Sequence, residues 1–315
     1  MKRIVLVLAL AAAAVMPAAA SAHVMFGLST ESPQTFRTVQ SQMPVQLWSP
    51  FVGWKGANGF ETVTRQAASF HVKPFISWET WDARTRVAGA RNPKSTSGLW
   101  NTSIADGKQD KYLAEQVKAA RAYRKVIYVR FDHEFNGNWY PWAGNAKGYV
   151  KMWRHVVNAF HKHGATNVKF IWSPNLNTYE SDAVFDRRVA TYWPGSKYVD
   201  IIGATVTRVQ VQGGTLEPND PNNGYYQGPS WFFQRLDRLY KYRAGAHPKP
   251  FWITEALVDL EEMPAWMPPF RAEVNARPWI KAVNWLSTTG PQTPSFGSMN
   301  WSLADQPLAR QYLTF

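Results

Sequence analysis

The sequence predicts an α/β fold, a single-domain (β/α)8 barrel of the TIM type. Three observations predict it. Eight short apolar runs recur along the chain, helical patterns lie between them, and the length suits one large domain.

The apolar runs are rich in Val, Ile and aromatic residues, as strands buried on both faces are. In order they are Val24–Leu28, Val45–Trp48, Val72–Trp78, Val126–Phe131, Val168–Trp172, Val199–Gly203, Phe251–Thr254 and Ala282–Leu286. Helices are predicted between them. Asp110–Ala120 opens on a capping residue and carries an apolar stripe. Gly148–His161 turns Tyr149, Val150, Trp153, Val156, Val157 and Phe160 inward, with Gly164 placed to end it. Trp231–Tyr242 does the same with Phe232, Leu236, Leu239 and Tyr240.

Before the first run, Lys2 and Arg3, the apolar stretch Ile4–Met16 and Ala20-Ser21-Ala22 make the three-part pattern of a secretory signal peptide. The stretch is short for a membrane span. Residues 1–22 are therefore set aside as a leader, and 23–315 form the domain. The product is expected to be secreted, extracellular or periplasmic, with no membrane attachment after cleavage. His23, which would then be N-terminal, could in principle bind copper, but the apolar strand directly after it argues for a structural start.

The chain has no cysteine, which removes thiol nucleophiles, thiolate metal sites and disulfides together. No cofactor and no metal site are expected, since no nucleotide fingerprint or phosphate loop is present. The formal charge is +13, of which Lys2 and Arg3 contribute two. Such a balance either attracts an acidic polymer or is plain surface charge. Lys and Arg are scattered, without a basic run interleaved with aromatics, so no nucleic-acid partner is expected. The 16 Trp and 13 Tyr serve a core, a carbohydrate cleft, or both, because indole stacks on the C–H faces of sugars. A polysaccharide is the expected partner and a monomer the expected state.

In a barrel of this kind functional groups stand at the C-terminal ends of strands. That rule selects Trp48, Trp78 with Glu79, His133 with Glu134, Trp172 with Asn175, Thr205–Arg208, Glu255 and Trp285. Two carboxylates stand out, Glu134 after the fourth run and Glu255 after the seventh. Strands four and seven face each other across a barrel mouth. Hydrolysis of a glycosidic bond needs such a pair, one to protonate the leaving oxygen and one opposite it. Either glutamate alone could equally be half of a structural ion pair. Glu79 and Asp82 are open between substrate binding and a structural pair. His155, His161 and His163 sit near one helix end, but their spacing does not gather them on one face.

The segment His133-Glu134-Phe135-Asn136-Gly137-Asn138-Trp139-Tyr140-Pro141-Trp142 resembles the acid/base motif of glycoside hydrolase family 26. Ile76-Ser77-Trp78-Glu79, Ile171-Trp172-Ser173-Pro174-Asn175 and Tyr192-Trp193-Pro194-Gly195 through Gly203 also look like segments of that family. The resemblance runs over nearly the whole domain. It implies a retaining endo-β-glycosidase on a TIM barrel, acting on β-mannan, β-glucan or a related exopolysaccharide. It also implies Glu134 as acid/base and Glu255 as nucleophile. By the same resemblance His133 contacts the nucleophile or the sugar, and Trp139 and Trp285 stack on sugar rings. Trp78, Glu79, Trp172 and Arg208 complete the expected substrate-binding set. Arg130 either holds a carboxylate ionised or makes a structural ion pair.

The chain departs from the family pattern after the sixth run. Mannanases there show Asp-x-Tyr, with the hydroxyl on the nucleophile, whereas this chain reads Gly203-Ala204-Thr205-Val206-Thr207-Arg208. The resemblance therefore does not name mannan as the substrate. Arg208 in that segment could read an acidic sugar. The competing function is a non-catalytic polysaccharide-binding barrel.

Overall fold

The structure is a computed structural model. It describes residues 24–30, 32–54, 58–80, 98–178, 180–208, 227–245, 247–259, 262–288, 302–304 and 307–313. Residues 1–22, expected from the sequence to be a leader, lie outside the described residues, as do His23 and Asp82.

Nine strand segments form one parallel sheet: β1 (Met25–Thr30), β2 (Leu47–Trp48), β3 (Phe51–Gly53), β4 (Lys73–Glu79), β5 (Ile127–Phe131), β6 (Val168–Trp172), β7 (Ile201–Arg208), β8 (Phe251–Val258) and β9 (Ile280–Ser287). β1 pairs with both β2 and β9, and β2 pairs with β4, so the sheet closes on itself as an eight-stranded barrel. The extra segment arises because the second barrel strand is broken. Pro50 has no N–H to donate to a ladder. The chain pairs with β1 through Leu47 and Trp48, then resumes as β3 against Ser77–Glu79 of β4.

Helices α1 (Pro33–Gln40), α2 (Phe60–Ser69), α3 (Gly98–Ala105), α4 (Asp110–Tyr123), α5 (Ala146–Lys162), α6 (Asp182–Thr191), α7 (Pro229–Asp237) and α8 (Met263–Asn275) surround the barrel. In α5 the expected stripe is buried, with Met152 replacing the partly exposed Val150. Gly164 follows its cap at φ +77°, the left-handed region open to glycine. The predicted helix Trp231–Tyr242 is two pieces, α7 and a 3-10 turn at Tyr240–Arg243. Asp110 is the first residue of α4, and Gln109 before it makes no side-chain cap. No helix among the described residues is long and apolar enough to cross a membrane.

Side chains alternate between two cores. Leu47, Phe75, Ile171, Ile201, Trp252 and Ala282 fill the barrel interior, with Tyr128 packed on Trp252 at 4.4 Å between ring centroids. The larger core lies between barrel and helices. This alternation decides which strand-end residues reach the barrel mouth. On β4, Phe75, Ser77 and Glu79 share the inward parity and Trp78 does not. On β5, Tyr128 and Arg130 point in. On β6, Ile171 points in and Trp172 out. Interior packing is close at Gly203, where a Cβ would lie 2.6 Å from Thr254 Cγ2.

Candidate active site

The segment after β5 is built to present one carboxylate. Asp132 and Glu134 have φ of +40° and +54°, a region that non-glycine residues rarely occupy. The surroundings hold this backbone in place. The buried Asp132 carboxylate accepts from Thr80 N (2.8 Å) and Thr80 Oγ1 (2.7 Å). The amide of Glu134 donates to Ser173 O at 2.8 Å, and Trp142 Nε1 donates to His133 O at 2.6 Å. Phe135 stacks on Trp172 and Tyr192. Asn136 Nδ2 donates to Asn175 O, and Asn175 N donates back to Asn136 Oδ1, both at 2.8 Å. Gly137 leaves room for the indole of Trp139, whose ring atoms a Cβ would meet at 2.5 Å. That indole donates from Nε1 to Glu134 Oε2 at 2.8 Å. His133, Phe135, Asn136, Gly137, Trp139 and Trp142 thus each have a part in placing Glu134.

Glu255 arrives differently. On β8, Trp252 and Thr254 face the interior, so strict alternation would turn residue 255 outward. The register of β7 against β8 shifts between Ala204 and Thr205, and that of β8 against β9 shifts between Ile253 and Ala256. Such irregularities re-aim a side chain, and Glu255 points across the barrel to Arg130, with Nη2 2.6 Å from Oε2. The strand runs on to Val258, so Glu255 lies within it rather than after it.

Glu134 and Glu255 each bring a carboxylate oxygen, and His133 a ring nitrogen, all within 4.8 Å of one another. All three residues are buried. Burial first, and then the charge of Glu255, raise the pKa of Glu134 above its ordinary value; Arg130, Thr205 and Asn175 pull the other way. His133 is pushed well below its ordinary value, by burial and then by Arg130, so its imidazole is neutral. Its Nε2 is 3.1 Å from Tyr140 Oη and 3.9 Å from Glu79 Oε1. Burial and the neighbouring Glu134, Glu79 and Glu255 push the Tyr140 phenol well above its usual range, so it keeps its proton. Among the described residues this is the His/Asp/Glu group close enough to hold a metal ion; Arg130 supplies the positive charge beside it.

The structure brings together Glu134, Glu255, His133, Glu79 and Trp139 of the expected set. It corrects three tryptophans. Trp78 is fully buried against Trp54, Phe60, Tyr112 and Phe131 on the helix side of the barrel. Trp172 is fully buried there too, packed on Phe135, Trp193 and Tyr242, with Nε1 donating to Tyr192 O. Trp285 has no exposed surface and alternates with Ala282 and Asn284, the latter bonded to Ser29 Oγ and Thr254 O. None of the three offers a face to a sugar. Arg208 ends β7, and its side chain lies outside the described residues.

Tyr140 and Arg130 are the functional residues that strand-end reasoning underweighted. Arg130 shares interior parity with Tyr128, which alternation along the run could have shown. Tyr140 stands inside the motif, with its hydroxyl 3.1 Å from His133 Nε2. His155, His161 and His163 line one groove between α4 and α5, although their spacing had not suggested it; His155 is paired there with Asp110 at 2.6 Å.

The model for glycosyl hydrolase family 26 matches residues 62–226, more than half of the chain. The chain belongs to glycosyl hydrolase family 26. Over 132 residues this family 26 chain is 31% identical to Endoglucanase H of Acetivibrio thermocellus, a span covering 40% of the chain and 12% of that protein. Over 87 residues it is 30% identical to Mannan endo-1,4-beta-mannosidase A and B of Caldalkalibacillus mannanilyticus, covering 24% of the chain and 15% of that protein. The matches therefore span a small part of either relative's length. The fold is similar to that of a family 26 β-mannanase from Bacteroides ovatus, with a TM-score of 0.58 at 13% identity over 93% of this chain and 89% of the other. It is also similar to the modular endo-β-1,4-mannanase of Cellulomonas fimi, with a TM-score of 0.60 at 15% identity over 92% and 70%.

Proposed function

We propose that this family 26 protein is a secreted, retaining endo-β-glycosidase that cleaves a β-linked polysaccharide, β-mannan, β-glucan or a related exopolysaccharide. One observation carries the reading: the buried carboxylates of Glu134 and Glu255 approach within 4.8 Å across the barrel. Retaining enzymes place their carboxyl groups about 5 Å apart, whereas inverting ones leave roughly 6.5–9.5 Å for a water. The names of the relatives, an endoglucanase and mannosidases, support the substrate class.

The electrostatics divide the roles. Glu134, raised in pKa, holds the proton that the leaving glycosidic oxygen takes as the C–O bond breaks. Glu255, held beside the Arg130 guanidinium, attacks the anomeric carbon and forms a glycosyl ester. Glu134, now ionised, takes a proton from water. The water oxygen bonds to the anomeric carbon, and Glu255 leaves as a carboxylate. The indole N–H of Trp139 stabilises Glu134 in that ionised phase. Residues 1–22 act as the secretory leader.

A reducing-sugar assay over soluble β-mannan, mixed-linkage β-glucan, xylan and acidic glycans tests the reading. Release from at least one β-glycan, lost in Glu255→Ala, is expected. Binding to a glycan without release of reducing ends would favour the non-catalytic barrel.

A further inference from the structure

We propose that Phe51 is a sugar-stacking platform on the glycone side of the cleft, a binding element that takes the place expected of the buried tryptophans. The inference rests on the polysaccharide-cleaving reading above.

Three large hydrophobic side chains are exposed among the described residues: Phe51, Val126 and Tyr240. Val126 precedes β5, and Tyr240 packs on Trp279, which precedes β9, so both stand at the N-terminal end of the barrel. Phe51 alone stands at the catalytic end. The residue is 41% exposed, and its ring is centred 5.9 Å from that of His133. The Arg130 guanidinium carbon lies 5.6 Å from the same ring centre. The ring thus packs beside the arginine that holds Glu255 while part of the residue stays exposed.

The pairing with β4 keeps one register across Pro50, from Leu47 opposite Lys73 to Phe51 opposite Ser77, so Phe51 shares the inward parity of Leu47 and stands at the barrel mouth beside the Ser77–Glu79 segment that reaches His133. An exposed aromatic at a random surface point needs no explanation. One seated on the nucleophile's counter-ion, beside three buried polar groups, forms an apolar wall next to a polar floor. That combination suits a pyranose, whose C–H face is apolar and whose rim carries hydroxyls. Arg130 serves Glu255, which bonds to the glycone sugar. A wall packed on Arg130 therefore belongs to the glycone side.

The test uses the full chain with β-oligosaccharides and with aryl β-glycosides, whose sugars all lie on the glycone side. Phe51→Ala is expected to raise KM roughly tenfold on both substrate types, the effect of losing one stacked apolar face, with a smaller change in kcat. Phe51→Trp is expected to recover most of that loss. Tyr240→Ala, at the far end of the barrel, serves as the unaffected control. An unchanged KM in Phe51→Ala overturns the proposal. So does a loss confined to kcat that Phe51→Trp does not recover, which would make Phe51 a support for Arg130. An effect seen only with oligosaccharides overturns the glycone assignment. If the wild-type chain cleaves no β-glycan, the functional reading fails. Affinity electrophoresis in soluble β-mannan and β-glucan gels then decides Phe51: retardation lost in Phe51→Ala supports the platform, and equal migration overturns it.

Discussion

Replacing Arg130 by Met tests the electrostatic core of the site. Arg130 is fully buried, and its Nη2 lies 2.6 Å from Glu255 Oε2. Methionine keeps an unbranched apolar side chain but leaves the Glu255 carboxylate buried, near Glu134 and without its counter-charge. Removing one partner of a buried ion pair costs about 3–5 kcal/mol. The site meets that cost either by losing stability or by taking up a proton at the two carboxylates. Proton uptake removes the ionised nucleophile, and about 3–5 kcal/mol met in that way corresponds to a loss of roughly 10²–10⁴-fold in kcat/KM. Urea unfolding and steady-state kinetics of Arg130→Met report the two effects separately. The double variant Arg130→Met/Glu255→Gln, in which no charge is stranded, is expected to regain most of the lost stability while remaining inactive. The reasoning is refuted if Arg130→Met keeps both its unfolding free energy within about 1 kcal/mol and its activity within about tenfold of wild type, or if the double variant is no more stable than the single one.

Two further outcomes follow from the same geometry. Gly137→Ala puts a Cβ 2.5 Å from the Trp139 ring, so the indole must move off Glu134; losing that charge-assisted hydrogen bond is expected to lower kcat by roughly 10–100-fold, and kinetics equal to wild type would contradict it. Because the pKa of Glu134 is raised in the folded state, the native protein binds this proton more tightly than the unfolded chain. Its contribution is fully present below the ordinary glutamate value and is lost as pH rises through the folded one. Glu134→Gln is therefore expected to be more stable than wild type at neutral pH, with the gap closing in acid, as read by thermal unfolding at several pH values; a gap that is constant or widens in acid would contradict the assignment. In active enzyme the same shift places the basic limb of the kcat/KM profile above the ordinary glutamate value.

Much of this site was legible in the sequence, and the parts that were not have physical reasons. The motif around Glu134 is local: its backbone turn, its glycine and its tryptophans sit within ten residues, so its spacing carries the geometry. Trp78 and Trp172 were misplaced because being at a strand end does not say which way a side chain points. Their parity with Ile76 and Phe170 puts them among the helices, where they build the outer core. Glu255 reaches the barrel mouth for the opposite reason, since a register shift overrides the parity that would have turned it outward. Phe51 was invisible because Pro50 interrupts the strand that carries it, and the pattern Val45–Trp48 ends before it. Arg130 paired as one of the two readings of its sequence position anticipated, with a carboxylate at the barrel centre.

The central claim is that Glu134 and Glu255 act as the two carboxylates of a double displacement. The most direct measurement is proton NMR of the first-formed product during cleavage of an aryl β-oligosaccharide, taken before mutarotation equilibrates the anomers. The account predicts that the β-anomer appears first and the α-anomer only later. An α-anomer formed first would mean direct attack by water, and would contradict the assignment of Glu255 as a nucleophile.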